Sequence, residues 1–216
     1  MKATLPSLLA ALALASNAGA VVVIDNLATG TLSFATSVTG PVGGGFLAPP
    51  PGRESAFSFV TGTTASYLDS LELLINVVNN SVGIQVELST GSSVPGGTNP
   101  VVIGSTNAAA SPVTQLVSVT PSSTILLDAS TRYWIHLTVP SGSGAYSFNN
   151  TNTPSIASGW TLENTHEYAF STWSEINGGP QARIRLSATP VPEPSPTLLG
   201  GIGIFLLLRR RQRARA

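Results

Sequence analysis

Between residues 67 and 90 apolar side chains recur at every second position. Leu71, Leu73, Ile75 and Val77 alternate with Ser70, Glu72, Leu74 and Asn76, and Val82, Ile84, Val86 and Leu88 alternate with Gly83, Gln85, Glu87 and Ser89. Successive strand side chains point to opposite faces, so this period presents one face to a core and the other to water. Asn79-Asn80 lies between the two runs, and asparagine tolerates the positive φ of tight turns. The pattern predicts a β-hairpin of strands 67–78 and 82–90. Shorter runs of the same kind occur at 32–36, 56–60, 101–104, 113–119, 124–127, 132–139, 146–148 and 182–186, separated by turn-forming stretches such as Gly43-Gly44-Gly45, Pro49-Pro50-Pro51-Gly52 and Pro95-Gly96-Gly97. With no helical period outside the two ends, the chain reads as all-β, an antiparallel β-sandwich of jelly-roll type without internal repeats.

The two ends differ in kind from this body. Lys2 precedes an apolar stretch from Leu5 to Ala15, and no charged residue stands between Ala3 and Ala20. Ala18-Gly19-Ala20 supplies the small residues of a cleavage site, so residues 1–20 read as a secretory signal helix with the mature chain starting at Val21. At the other end, Pro190 to Pro196 holds four prolines in seven residues, which favours an extended linker. Residues 197–216 then bring an apolar segment of 11 residues, Leu198 to Leu208, and a cluster of Arg209, Arg210, Arg211, Arg213 and Arg215. At ~1.5 Å of rise per residue such a helix falls well short of a ~30 Å hydrocarbon core. It enters a membrane without anchoring permanently, and the arginines keep its end on the cytoplasmic side.

Pro192, Glu193 and Pro194, the short apolar helix and the arginine cluster, in that order, resemble the PEP-CTERM sorting signal of Gram-negative bacteria. The resemblance implies export through the inner membrane, transient anchoring there, and processing by an exosortase-type enzyme. The product then resides at the cell surface or in the extracellular matrix, and such systems accompany exopolysaccharide production.

Setting both ends aside changes the charge balance. The whole chain is formally neutral, but from Val21 to Val191 four arginines stand against nine carboxylates, a net −5 with no lysine. Nucleic acid and anionic membrane call for clustered cations, so neither is a partner of this body. There is no cysteine, which excludes disulfides, thiolate metal sites and a cysteine nucleophile. The body, residues 21–189, is long enough to bury a core without such staples.

Residues 56–75 (AFSFVTGTTASYLDSLELLI), 95–97 (PGG), 126–139 (LLDASTRYWIHLTV) and 158–164 (SGWTLEN) resemble the choice-of-anchor R domain. Thr131, Tyr133 and Trp134 form its most recognisable element. The resemblance implies a β-rich domain of a surface or secreted bacterial protein, with no catalytic residues to carry over.

The candidate chemistry is sparse. Ser-His-Asp catalysis needs an oriented histidine, and only His136 and His166 exist, without a G-x-S-x-G elbow. His136 shares a strand face with Trp134 and Thr138 and reads as a partly exposed strand histidine. Glu163, His166 and Glu167 form the densest polar cluster. A strand there puts the two glutamates on one face and the histidine on the other, whereas a loop leaves them as solvated charges. A paired-carboxylate hydrolase needs two carboxyls on opposite sides of one bond. Asp25, Asn26 and Asp128 suit Asx turns as well as a structural ion; no metal and no cofactor is assigned. The sequons at Asn79 and Asn149 are chance matches in a bacterial chain.

Trp134, Trp160 and Trp173, with Tyr146 and Tyr168, gather in the C-terminal half of the body. Such rings fill sandwich cores or stack on sugars. The leading expectation is a structural or adhesive, non-enzymatic component of the cell surface or exopolysaccharide matrix. The alternative is a lectin-like carbohydrate-binding module, with Trp134, Trp160 and Trp173 as its stacking rings; a secreted hydrolase is more distant.

Overall fold

A computed structural model describes residues 19–27, 35–39, 52–79, 83–91, 95, 98–106, 114–139, 145–151, 155–169, 172–176 and 181–192. Residues Gly19–Pro190 form one compact unit. Its strands are β1 (Val21–Asp25), β2 (Ala35–Thr39), β3 (Glu54–Val60), β4 (Ser66–Asn79), β5 (Ile84–Thr90), β6 (Thr98–Thr106), β7 (Thr114–Val119), β8 (Leu126–Leu127), β9 (Arg132–Thr138), β10 (Ala145–Thr151), β11 (Ser155–Ile156), β12 (Thr161–Ala169), β13 (Thr172–Glu175), β14 (Gln181–Ala182) and β15 (Ile184–Pro190). Among the described residues there is no helix, and none therefore that is long and apolar enough to cross a membrane. Residues 1–18 of the signal segment and the whole sorting-helix segment, with Ala18, Glu193, Pro194 and the five terminal arginines, lie outside the described residues, as do residues 32–34.

The strands form two antiparallel sheets. One runs β11-β1-β15-β4-β10-β14, with β2 on β10 and β7 and β8 on β4; the other runs β13-β12-β3-β9-β5-β6. Their inner faces meet in one core. Leu71, Leu73, Ile75, Ile184 and Leu186 from the first sheet and Phe57, Phe59, Ile84, Val86, Ile135 and Leu137 from the second are each at most 1% exposed. The period of two along each strand thus becomes an apolar layer shared by both sheets.

The expected hairpin does not form. β4 and β5 both exist, but β4 belongs to the nine-stranded sheet and β5 to the six-stranded one, where it pairs with β9 and β6. The chain crosses the sandwich between them. Two strands that each bury one face on a common core show the same alternation whether they are sheet neighbours or face each other across it. The run at 182–186 is likewise divided at Arg183 into β14 and β15.

Local bonds explain two sequence elements. The Thr-x-Tyr-Trp stretch locks the turn into β9. Thr61 Oγ1 donates to the Asp128 carbonyl at 2.6 Å and accepts from Thr131 N at 2.9 Å, Ser130 N donates to the Gly62 carbonyl at 2.8 Å, and Ser130 takes φ 50°. The Tyr133 hydroxyl accepts from Asp128 N at 2.8 Å, tying the ring to the backbone a few residues upstream. Burial of that phenol, outweighing the backbone hydrogen bond, raises its pKa above the usual tyrosine value, with the Asp128 charge adding to the rise. In Ser158-Gly159-Trp160 the glycine holds φ 82°, which a side chain rarely tolerates, and the turn drops Trp160 onto Phe59.

Asp25 and Asn26 have structural employment. Asp25 Oδ1 accepts from Leu27 N at 3.2 Å, an Asx turn, while its Oδ2 meets Arg185 Nε at 3.0 Å. Arg185 also reaches Glu72 at 3.0 Å, bridging β1, β15 and β4. Asn26 is fully buried, and its side chain pairs with the Ala182 carbonyl and the Ile184 amide.

Candidate functional site on the outer face of the six-stranded sheet

The outer face of the six-stranded sheet is built around two small side chains. β3 is its third strand, and its outward residues Ala56 and Ser58 leave space that longer neighbours fill. Trp134 on β9, directly opposite Ser58, meets the His166 ring from β12 edge-on at 5.0 Å. The result is a second, smaller packed layer, in which Ala56, Ser58 and Trp134 are at most 1% exposed although they face away from the main core.

Beside this layer lies a polar chain. His136 stands between two carboxylates on neighbouring strands, with Nε2 at 2.8 Å from Glu54 and Nδ1 at 3.4 Å from Glu87. Gln85 Nε2 donates to the second oxygen of Glu87 at 2.6 Å. An imidazolium donates through both nitrogens and so ties β3, β9 and β5 together, whereas a neutral imidazole donates through one and holds a single carboxylate. Trp173, from the edge strand β13, stands edge-on to His136 at 5.2 Å and tilted against Tyr168 at 5.2 Å. Both rings are half-buried.

A third group closes the far side. Ser58 Oγ donates to Glu163, and Arg132 reaches the other oxygen of the same carboxylate at 2.6 Å. Burial opposes ionisation of Glu163 and is the largest single influence. The hydrogen bonds from Arg132 and Ser58, with the charges of Arg132 and His166, together outweigh it and hold the carboxyl below its usual value.

The structure separates the residues singled out in the sequence. Trp134 is 1% and Trp160 9% exposed, so neither offers a ring face to solvent; only Trp173 of the three stands partly open. Trp160 stacks on Phe59, which also stacks on Tyr133. Tyr146 lies on β10 of the other sheet, away from this face. The Glu163–Glu167 segment is a strand, but a bulge between Leu162 and Thr165 shifts its parity. Glu163 therefore joins His166 on the outer face, and Glu167 is the one turned away, 3.3 Å from Arg53. Each of these glutamates is engaged by an arginine. Among the described residues no group of three or more His, Asp or Glu side chains is disposed to hold a metal ion. Glu54, Glu87 and Gln85 are not singled out by the sequence: Gln85 and Glu87 are the polar positions of an alternating strand, and Glu54 precedes the predicted run 56–60.

The accessible edge of this face can stack on the apolar side of a ring through Trp173 and Tyr168. The neighbouring carboxylates can accept hydrogen bonds from hydroxyl groups.

No protein-family model matches the chain, and no curated protein matches it. Among solved structures, the cysteine protease and lectin-like domains of Cwp84, a surface layer associated protein of Clostridium difficile, are similar at 13% identity and a TM-score of 0.44. The match covers 64% of this chain and 32% of that one, so this chain spans about a third of that length. A likeness of this size transfers no residue role.

Proposed function

We propose that the chain is an exported, jelly-roll-like β-sandwich that serves as a structural or adhesive, non-enzymatic component of the cell surface or exopolysaccharide matrix. It is delivered by its PEP-CTERM-like ending and released by an exosortase-type enzyme. One observation carries the reading: the folded body begins and ends where the two sequence signals leave off. β1 starts at Val21, β15 stops at Pro190, and the two strands pair with Val21 opposite Ala188. Removing residues 1–20 and 191–216 cuts none of the described strands, Pro190 being the last residue of β15 and not the first of the linker, and both junctions lie at the same end of one strand pair. Replacing Pro192, Glu193 and Pro194 together by alanine tests it. Unprocessed protein accumulates in the inner-membrane fraction on this proposal, and normal release of the variant refutes it.

The lectin-like reading has a narrower support, the half-open Trp173–Tyr168 pair beside Glu54, His136 and Glu87. It requires that Trp173→Ala lose binding to exopolysaccharide from the source organism while the fold persists.

A further inference from the structure

On the opposite side of the sandwich, the outer face of the nine-stranded sheet carries an open cleft of about 570 Å³. That lies within the ~300–1,000 Å³ typical of small-molecule sites. A β-bulge makes it. The register between β4 and β15 shifts so that Ser70 faces Ser187 and Leu68 faces Ala188, which leaves Asp69 as an extra residue. Bulges re-aim side chains. Leu68 still enters the core at 5% exposure, while Asp69 turns out beside Tyr67 and accepts from Thr189 Oγ1 at 2.8 Å. The facing wall is the turn between β7 and β8, Pro121 to Thr124, tied to the floor by Leu68 N donating to the Ile125 carbonyl at 3.0 Å.

Two features set this cleft apart from the braced face described above. Its hydrogen-bonding capacity is largely unspent: among the described residues, Asp69 Oδ1, the Tyr67 phenol and the hydroxyls of Ser122, Ser123 and Thr124 have no partner. It also has an exposed apolar margin, since Tyr67 of the lining, 37% exposed, is the cross-strand neighbour of Leu126, which lies outside the lining at 47% exposure.

The lining selects among ligand chemistries. It contains no cation, so an anionic ligand finds no countercharge. It contains one carboxylate, too few for a hard divalent cation that gathers six or more oxygens. A wholly apolar ligand would strip water from the hydroxyls and leave them unpaired. An uncharged ring with an apolar C–H face and peripheral hydroxyls satisfies both halves of the cleft, its face on Tyr67 and its hydroxyls on Asp69 and the serine turn. We propose that the Tyr67–Asp69 cleft binds a neutral sugar residue, and its openness admits units within a polysaccharide chain as well as at its end. The assignment depends neither on the sorting reading nor on the Trp173 edge.

Affinity electrophoresis of the full-length protein in non-ionic detergent tests this, in native gels containing dextran, glucomannan, galactan or no polymer. At least one neutral polymer retards the protein. Tyr67→Ala, Asp69→Asn and Ser123→Arg each weaken that retardation, Asp69→Asn at least about tenfold through the loss of one hydrogen bond to a charged group, and Tyr67→Phe retains most of it. Ser123→Arg sits on an exposed turn and fills the cleft without touching the core, so its effect does not depend on stability. Alanine at Pro192, Glu193 and Pro194 leaves binding unchanged, which keeps a failure of sorting distinct from a failure of the cleft. Three results overturn the proposal: no retardation by any neutral polymer, wild-type migration of all three cleft variants, or binding lost only on Trp173→Ala.

Discussion

Replacing Asn26 by alanine removes a side chain that behaves as a short piece of strand. Its Nδ2 donates to the Ala182 carbonyl, its Oδ1 accepts from Ile184 N, and its own amide donates to the Ile184 carbonyl at 3.0 Å. The residue is fully buried at the end of β1, where β14 gives way to β15. Alanine keeps the backbone bond and orphans one carbonyl and one amide. Each buried orphan costs about 1–3 kcal/mol, and partial rescue by an entering water puts the pair near ~3 kcal/mol. For a domain of this length each kcal/mol moves the melting temperature by about 2–4 °C, so the loss is about 6–12 °C. Thermal unfolding followed by far-ultraviolet circular dichroism at neutral pH measures it. Asn26→Asp keeps the acceptor, loses the donor and buries a charge, and should fall at least as far. A melting temperature for Asn26→Ala within about 2 °C of wild type would refute the reasoning, because two orphaned buried groups cannot cost so little even with partial rescue by water.

Three further outcomes follow from contacts elsewhere. A Cβ on Gly104 would stand 2.5 Å from Cγ1 of buried Val119, a stiff β-branched side chain, so Gly104→Ala should cost about 1–3 kcal/mol in urea unfolding, with much of it restored by adding Val119→Ala. The lowered pKa of Glu163 means that its ionised form is favoured in the folded chain: its stabilisation is present above the unfolded glutamate value of 4.5 and is lost as pH falls through the lower folded value. Acid titrations of stability should therefore be flatter for Glu163→Gln than for wild type across that window. His136→Ala leaves Glu54 and Glu87 without the ring between them, so salt should raise the variant's melting temperature more than that of wild type; equal salt slopes would show that the imidazole does not bridge them.

Much of the architecture is written in the alternation, because a strand that buries one face must repeat every second residue. Leu71, Leu73 and Ile75 announced β4, and Ile84, Val86 and Leu88 announced β5. Alternation names a face and not a neighbour, which is why the same residues read as a hairpin and fold into opposite sheets. The pattern leaves β12 open between strand and loop for a different reason: its outward side chains are polar or aromatic, and the bulge after Leu162 interrupts the period that would have marked it as a strand.

The candidate sites were less legible, since both depend on register. Trp134 sits on a face whose other members are polar, a pattern that argues for exposure, yet it is buried because Ala56 and Ser58, on the strand between Trp134 and His166, leave a hollow beneath the aromatic rings. The small residues carry that information, and they do so only once β3 is known to lie between β9 and β12. The same holds for the brace through His136, whose carboxylates come from positions 54 and 87, and for the cleft at Asp69, which exists because β15 pairs with β4 out of step by one residue. In a sheet protein the chemistry-bearing groups are assembled across strands distant in sequence. Composition therefore reveals which chemistries are absent well before the pattern reveals where the remaining ones meet.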